Sequence, residues 1–413
     1  MSETLRVAVF TNTFVPDVNG VANAVDMFRT ELMRRGHLVY VFAPAPRKED
    51  PLADDPYVIR FPSLRIFDLD YHAAFPVSRH ARRALRDVEF DIVHTHHPIW
   101  VGVWGASYAR RRNIPLVTTI HTHYELFARF VPLPEGWVRR YLRRSVRRYC
   151  NACHLVTTPG ASTARHLRRL GVERPTMVLP NGLPLARFEE ATGDEVRARY
   201  GLTGKFVMGY LGRLSPEKQV HVVIQVAARV FAQRPEAHLL VVGDGPARGE
   251  LEALTRSLGI QQQVTFAGTI NHSEVHKYHA AFDVLLSASR GDTMPLAYAE
   301  TMAAGTPVVA TVGFGAIDMI ADGVNGFLIS RIHATDQMTE LVLKLASDRR
   351  LREKLSRQAR EYSKRWRVDI ATDRLLYVYD VTRRLARGEP VELEAPVEWP
   401  GVARARADRR RKE

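Results

Sequence analysis

Short runs of β-branched and aliphatic residues alternate with segments of helical period from one end of the 413-residue chain to the other. None approaches the ~20 apolar residues of a membrane-spanning helix. A run that is apolar on both faces needs cover on both, so the pattern predicts parallel sheets wrapped by helices. In the first half, strands are expected over residues 5–10, 37–43, 91–94, 116–120, 155–158 and 177–179, with helices over 21–35, 78–87, 101–112, 137–149 and 162–170. A second series follows a turn-rich, charged stretch: strands over 206–210, 238–242, 264–266, 284–287 and 308–310, each leading into a helical pattern. The count predicts an α/β protein of two Rossmann-like, doubly wound domains. Their expected bounds are 1–182 and 205–365, joined by a linker over 183–204. A helix over 366–388 is expected to return to the first domain, and the arginine-rich tail 389–413 to be disordered.

With 46% hydrophobic and 25% charged residues, the composition excludes disordered and fibrous classes. Lys and Arg number 59 against 45 Asp and Glu, a net +14 that favours an anionic partner: phosphate, nucleic acid or an acidic membrane surface. Charge does not choose among them. The two cysteines, Cys150 and Cys153, exclude a disulfide framework and cannot alone supply a four-ligand zinc site. They follow an arginine-rich helical stretch and lead into a strand, the reverse of the helix N-terminus that activates a redox pair. The N-terminal residues run straight into a strand with no basic region before a long apolar core, so a cytosolic protein is expected.

In open parallel sheets, ligands sit beyond the carboxyl ends of the strands. After 206–210 comes Gly212-Arg213-Leu214-Ser215-Pro216-Glu217-Lys218, a small residue that admits a ligand, framed by two cations. Such a place suits a diphosphate, and it serves equally as a glycine turn with solvated charges. A Walker A loop is excluded: upstream of Gly204-Lys205, Arg199 stands where the first glycine is required and Phe206 where the hydroxyl belongs. Gly243-Asp244-Gly245-Pro246 begins like a dinucleotide fingerprint but has Arg248 in place of its third glycine, and Pro246 fits the first position of a helix. Asp292 and Glu300 lie eight residues apart, one in a loop and one in the helix after it, flanking Pro295 and Leu296. Each carboxylate can accept two hydroxyl bonds from a sugar or ribose; as isolated acids they would form a solvated face.

Taken in order, these segments resemble the retaining family-4 glycosyltransferases of the GT-B fold. Residues 14–21, with Gly20, look like the family's N-terminal glycine loop, and Leu179-Pro180-Asn181-Gly182 like its interdomain signature. The resemblance covers nearly the whole chain and implies two domains facing a central cleft, with the nucleotide sugar between them. It places Arg213 and Lys218 on the diphosphate, Glu300 on the ribose and Asp292 near the donor sugar, with Gly20, Gly212, Gly243, Pro295 and Leu296 lining the nucleotide-sugar site. Asp292 stands where the family usually has Glu, Pro295 where a glycine is common, and Pro184 where an acid often follows the Asn-Gly. In Thr119-Ile120-His121-Thr122-His123-Tyr124 the resemblance is to lipid-glycosylating members, whose histidine, here His121, contacts the donor sugar at the reaction centre. No carboxylate at helical spacing joins His121 and His123 in an H-E-x-x-H pattern, and neither a metal nor another cofactor is expected.

Thr13 to Val21 together with His121 to Tyr124 look most like diacylglycerol glucosyltransferases, which implies UDP-glucose as donor and a lipid acceptor. Residues 65–148 carry 15 Arg against seven acids. On the expected helix near 137–150, Trp137, Val138, Tyr141, Leu142, Val146, Tyr149 and Cys150 share a side flanked by Arg139, Arg140, Arg143 and Arg144. Such a helix suits an anionic membrane surface, and a peripheral protein on the cytoplasmic face is expected, although a core-facing stripe with solvated arginines reads the same way. A mannosyltransferase using GDP-mannose, or transfer to a soluble sugar, is the alternative within the same chemistry. A nucleic-acid partner is not expected, because no recognition motif of that class accompanies the charge.

Overall fold

Every residue of the strand segments Leu116–Thr119 and Leu155–Thr158 is buried, as both-face coverage requires. The computed structural model describes residues 3–393 apart from 18, 47–48, 66–71, 75–77, 132 and 290. Two compact units result, one holding the chain to Gly182 plus the Val368–Ala386 helix, the other Leu183–Arg367.

The first unit contains β1 (Arg6–Phe10), β2 (Leu38–Pro44), β3 (Val58–Phe61), β4 (Ser63–Arg65), β5 (His72–Ala74), β6 (Ile92–Thr95), β7 (Leu116–Thr119), β8 (Leu155–Thr158) and β9 (Thr176–Val178). Its main sheet is parallel in the order β3-β2-β1-β6-β7-β8-β9, with Val7 opposite Val39 on one side and Ile92 on the other. β4 and β5 form a separate antiparallel pair. Asn19 starts the Gly20–Arg34 helix: its side-chain Oδ1 accepts from the Val21 and Ala22 amides at 3.1 and 3.0 Å, a cap worth ~1 kcal/mol. Leu375, Val378 and Tyr379 of the Val368–Ala386 helix join Val7, Val39 and Val41 in one core. Gly182 is needed where the chain leaves this unit, because a Cβ there would stand 2.8 Å from Val368 Cα.

The second unit contains β10 (Val207–Leu211), β11 (His238–Val242), β12 (Val264–Gly268), β13 (Val284–Ser287), β14 (Val308–Thr311) and β15 (Gly326–Ile329), parallel in the order β12-β11-β10-β13-β14-β15. Val223, Ile224 and Val230 of the Val220–Phe231 helix pack with Leu239, Val241 and Leu286 to make its core. In both sheets the order reverses beside the first strand, at β1/β6 and β10/β13, the position at which sheets of this topology bind ligands past the carboxyl ends.

Three expectations are corrected. β3 and β15 were not anticipated: β3 carries Arg60, whose guanidinium is held by Asp50 at 2.8 Å, and β15 opens on Asn325-Gly326, a turn signal. Residues 183–204 are no free linker but belong to the second unit, folding as helices Ala186–Glu189 and Asp194–Arg199. Arg197 fixes them there, donating to Asp283 Oδ2 at 2.8 Å and to the Lys205 carbonyl at 3.1 Å. Pro246 precedes its helix, Arg248–Ser257, by a turn and is not its first residue. Of the tail 389–413, residues 394–413 lie outside the described residues.

Candidate active site

In the second unit the strand ends are built from glycine and backbone. Gly212, at φ +152°, donates to the Val242 carbonyl at 3.0 Å. A Cβ on Gly243 would stand 2.0 Å from the Gly212 oxygen, and one on Gly245 would stand 2.3 Å from that of Leu214, so both turns must be glycine to lie against each other. The chain then passes Arg213, which is exposed, to a 3₁₀ turn, Pro216–Lys218. Lys218 Nζ lies 2.6 Å from Asp292 Oδ1, across 74 residues of sequence, and both side chains are half-buried. Burial alone would raise the Asp292 carboxyl; the Lys218 ammonium against it holds it below the usual carboxylate range. Asp292 thus sits on the cation expected to meet the diphosphate.

Pro295 stands at the entry to the Leu296–Ala303 helix, where a missing amide costs nothing. It also contacts Gly315, whose Cβ would approach the proline ring to 2.5 Å. Glu300 lies on this helix with Oε2 3.3 Å from Nε2 of fully buried His279, and His279 Nδ1 meets Thr301 Oγ1 at 2.6 Å. Sequence reasoning missed His279: nothing local marks a histidine on the Val275–Ala281 helix as the neighbour of a carboxylate 21 positions on.

In the first unit the strand ends are built from histidine and threonine. His96 Nδ1 and His121 Nε2 lie 2.9 Å apart with their rings stacked, and His94 is held by Tyr379 OH at 3.0 Å and Thr119 Oγ1 at 2.7 Å. His97 Nδ1 accepts from the Asn12 amide at 3.1 Å. Burial holds these rings neutral: His94, His97 and His121 are lowered to about 3, and His96 falls well below its ordinary value. Tyr379, 285 residues after His94, is a contact that no local pattern announces. His123 does not join His121; it turns to Thr163 at 3.3 Å and to the ring of His166. Gly20 opens the Gly20–Arg34 helix, and a Cβ added there would meet no protein atom within 4 Å, so packing does not explain the glycine.

Two family descriptions match: "Glycosyltransferase Family 4" over residues 18–187 and "Glycosyl transferases group 1" over 193–362. The alpha-monoglucosyldiacylglycerol synthase of Streptococcus pneumoniae is 30% identical over 359 residues, covering 82% of this chain and 81% of that protein. The chain is a family-4 glycosyltransferase. A GDP-mannose-dependent alpha-mannosyltransferase of Mycobacterium tuberculosis is also 30% identical to this glycosyltransferase, over 392 residues, with 92% and 97% of the two chains covered. Among solved structures, Anabaena HepE in complex with UDP and glucose superposes with a TM-score of 0.73 over 91% of the glycosyltransferase and 99% of HepE, at 20% identity. That likeness extends to the GT-B fold.

The glycosyltransferase carries its arginine-rich segment on the Glu135–Asn151 helix. The stripe expected on one side is divided: Val138, Val146 and Cys150 are buried, whereas Trp137 is 77% and Tyr141 68% exposed. One helical turn separates Trp137 from Tyr141, which puts both on the outer surface with Arg140 and Arg144. Arg139, Arg140, Arg143, Arg144, Arg147 and Arg169 line a groove of about 400 Å³. Burial pushes the Cys150 thiol up to about 12 and that of Cys153 well above its ordinary value, so neither is a reactive thiolate. Among the described residues no helix is long and apolar enough to cross a membrane.

Proposed function

We propose that this glycosyltransferase moves glucose from UDP-glucose to a diacylglycerol acceptor at an anionic membrane surface, with retention of anomeric configuration. The observation that carries the lipid acceptor is the exposure of Trp137 and Tyr141 among the arginines of one helix. Large aromatics cost free energy in water and fit a headgroup layer, where basic neighbours meet lipid phosphate. The similarity to the alpha-monoglucosyldiacylglycerol synthases of Streptococcus pneumoniae and Acholeplasma laidlawii supports the same choice. The mannosyltransferase relatives keep GDP-mannose as the second reading.

In the reaction the leaving group is a nucleoside diphosphate. Lys218 exchanges its bond to Asp292 for the diphosphate, Arg213 meets the same group, and the charge that grows as the glycosidic bond breaks is stabilised without a metal. The acceptor hydroxyl attacks from the face the diphosphate leaves, and a phosphate oxygen takes its proton. Glu300, which lies beside His279, accepts the ribose hydroxyls. Released Asp292 is free to accept from a sugar hydroxyl, and neutral His121 faces the sugar at the reacting carbon. The test is transfer of labelled sugar from UDP-glucose, UDP-galactose and GDP-mannose with and without diacylglycerol vesicles. Labelled glycolipid from UDP-glucose alone is expected; product from GDP-mannose alone, or only with a soluble sugar, would replace this reading.

A further inference from the structure

Just past β7, the chain enters a 3₁₀ segment, Tyr124–Phe130, that lies against a second helix, Ala161–Arg169. Three side chains converge where they meet. His166 Nε2 and Glu125 Oε1 are hydrogen-bonded, the rings of His123 and His166 stand edge to face at 4.6 Å, and one donor atom from each of His123, Glu125 and His166 lies within 4.8 Å of the others. His123 and Glu125 are buried and His166 is half-buried, so the cluster is desolvated and still reachable from outside. The other histidine cluster of this unit, around His94 and His96, has no such carboxylate among the described residues.

Two imidazoles and one carboxylate form a donor set that suits borderline transition ions and leaves a fourth position for water. At zinc bond lengths the three donor atoms stand about 3.3 Å from one another, so the hydrogen-bonded Glu125–His166 pair must open to admit the ion between them. We infer that His123, Glu125 and His166 form a binding site for a divalent transition ion of the zinc class. The ion ties the Tyr124–Phe130 segment to the Ala161–Arg169 helix. Its ligands sit outside the groups assigned to the diphosphate, which belong to the other unit. It is a clamp on the turn that follows His121 and on the helix that ends at Arg169, one wall of the arginine groove.

The full chain is stripped with EDTA, exchanged into metal-free buffer and titrated with Zn²⁺ against a chromogenic chelator. One site per chain is expected. Zn²⁺ at a hundredfold excess over its dissociation constant should raise the thermal midpoint by about 2 °C or more. Binding should weaken at least tenfold in His166→Gln and in Glu125→Gln, with UDP binding unchanged as the sign that both variants are folded. Co²⁺ in place of Zn²⁺ gives a readout on the wild-type chain alone: intense visible bands are expected from a tetrahedral site. Absence of those bands, or equal Zn²⁺ affinity in wild type and both variants, overturns the inference.

Discussion

The two Rossmann-like units end their strands in opposite chemistry. The first presents neutral imidazoles and threonine hydroxyls, His94, His96, His121, Thr119 and Thr157, with hydrogen bonds of 2.6 to 2.9 Å among them. The second presents glycine backbone and an ion pair, Gly212, Gly243 and Lys218 with Asp292. On the proposed function, one topology carries two tasks. Close backbone approach and a cation suit a diphosphate, while uncharged, preorganised hydrogen-bonding groups suit a sugar and its acceptor, where a fixed charge would be costly to desolvate.

The largest expected effect falls on the charged side. Lys218→Ala removes a cation proposed to meet the leaving group and should lower kcat/KM for the sugar nucleotide by about 10²- to 10³-fold. Steady-state kinetics over donor concentration measures this; a loss confined to KM would make Lys218 a ground-state contact only.

Acid should separate the units next. His94 and His97 are lowered to about 3, against about 6.5 in an unfolded chain, and burial holds His96 well below its ordinary value too, so from pH 6.5 down toward 3 the unfolded state binds protons that the folded first unit refuses. Stability falls with pH across that window by up to about 1.4 kcal/mol per histidine per pH unit. The Asp292 carboxyl is depressed by Lys218, and its contribution is lost only as pH falls below the ordinary carboxylate value. Hydrogen exchange at pH 7, 6 and 5 should show the first unit losing amide protection before the second. Earlier loss in the second unit would break the comparison.

How much of this was legible in the sequence divides along the same line. The strands over 155–158, 238–242 and 284–287 were placed to the residue because apolar runs ending in threonine, glycine or serine carry a local signal. β3 and β15 were missed because an arginine and an Asn-Gly turn interrupt theirs. Lys218 and Asp292 were legible as types in an order, but their 2.6 Å contact was not. His121 was legible, and its partner His96 was not, because the pairing of β6 with β7 alone brings residues 25 positions apart into line. The arginine helix misled in part: period alone cannot say that Val138 faces the core while Trp137 faces water.

A smaller and salt-dependent effect is expected outside both strand-end sites. Exchanging Arg139, Arg140, Arg143 and Arg144 together for Gln should reduce flotation with vesicles containing anionic lipid at low salt and leave UDP binding intact. Binding of the wild type should fade as salt rises. Equal flotation of both proteins would leave these arginines as solvating groups and remove the support for a lipid surface.

The central claim is that affinity for the nucleotide rests on the charged groups of the second unit, while turnover needs both units. Calorimetry with UDP in EDTA tests it on three proteins: wild type, Glu300→Gln and His121→Ala. UDP affinity should fall about tenfold in Glu300→Gln, which loses a charged acceptor and keeps its shape, and should be unchanged in His121→Ala, whose sugar transfer is nevertheless abolished. Unchanged affinity in Glu300→Gln together with a loss in His121→Ala would contradict the account.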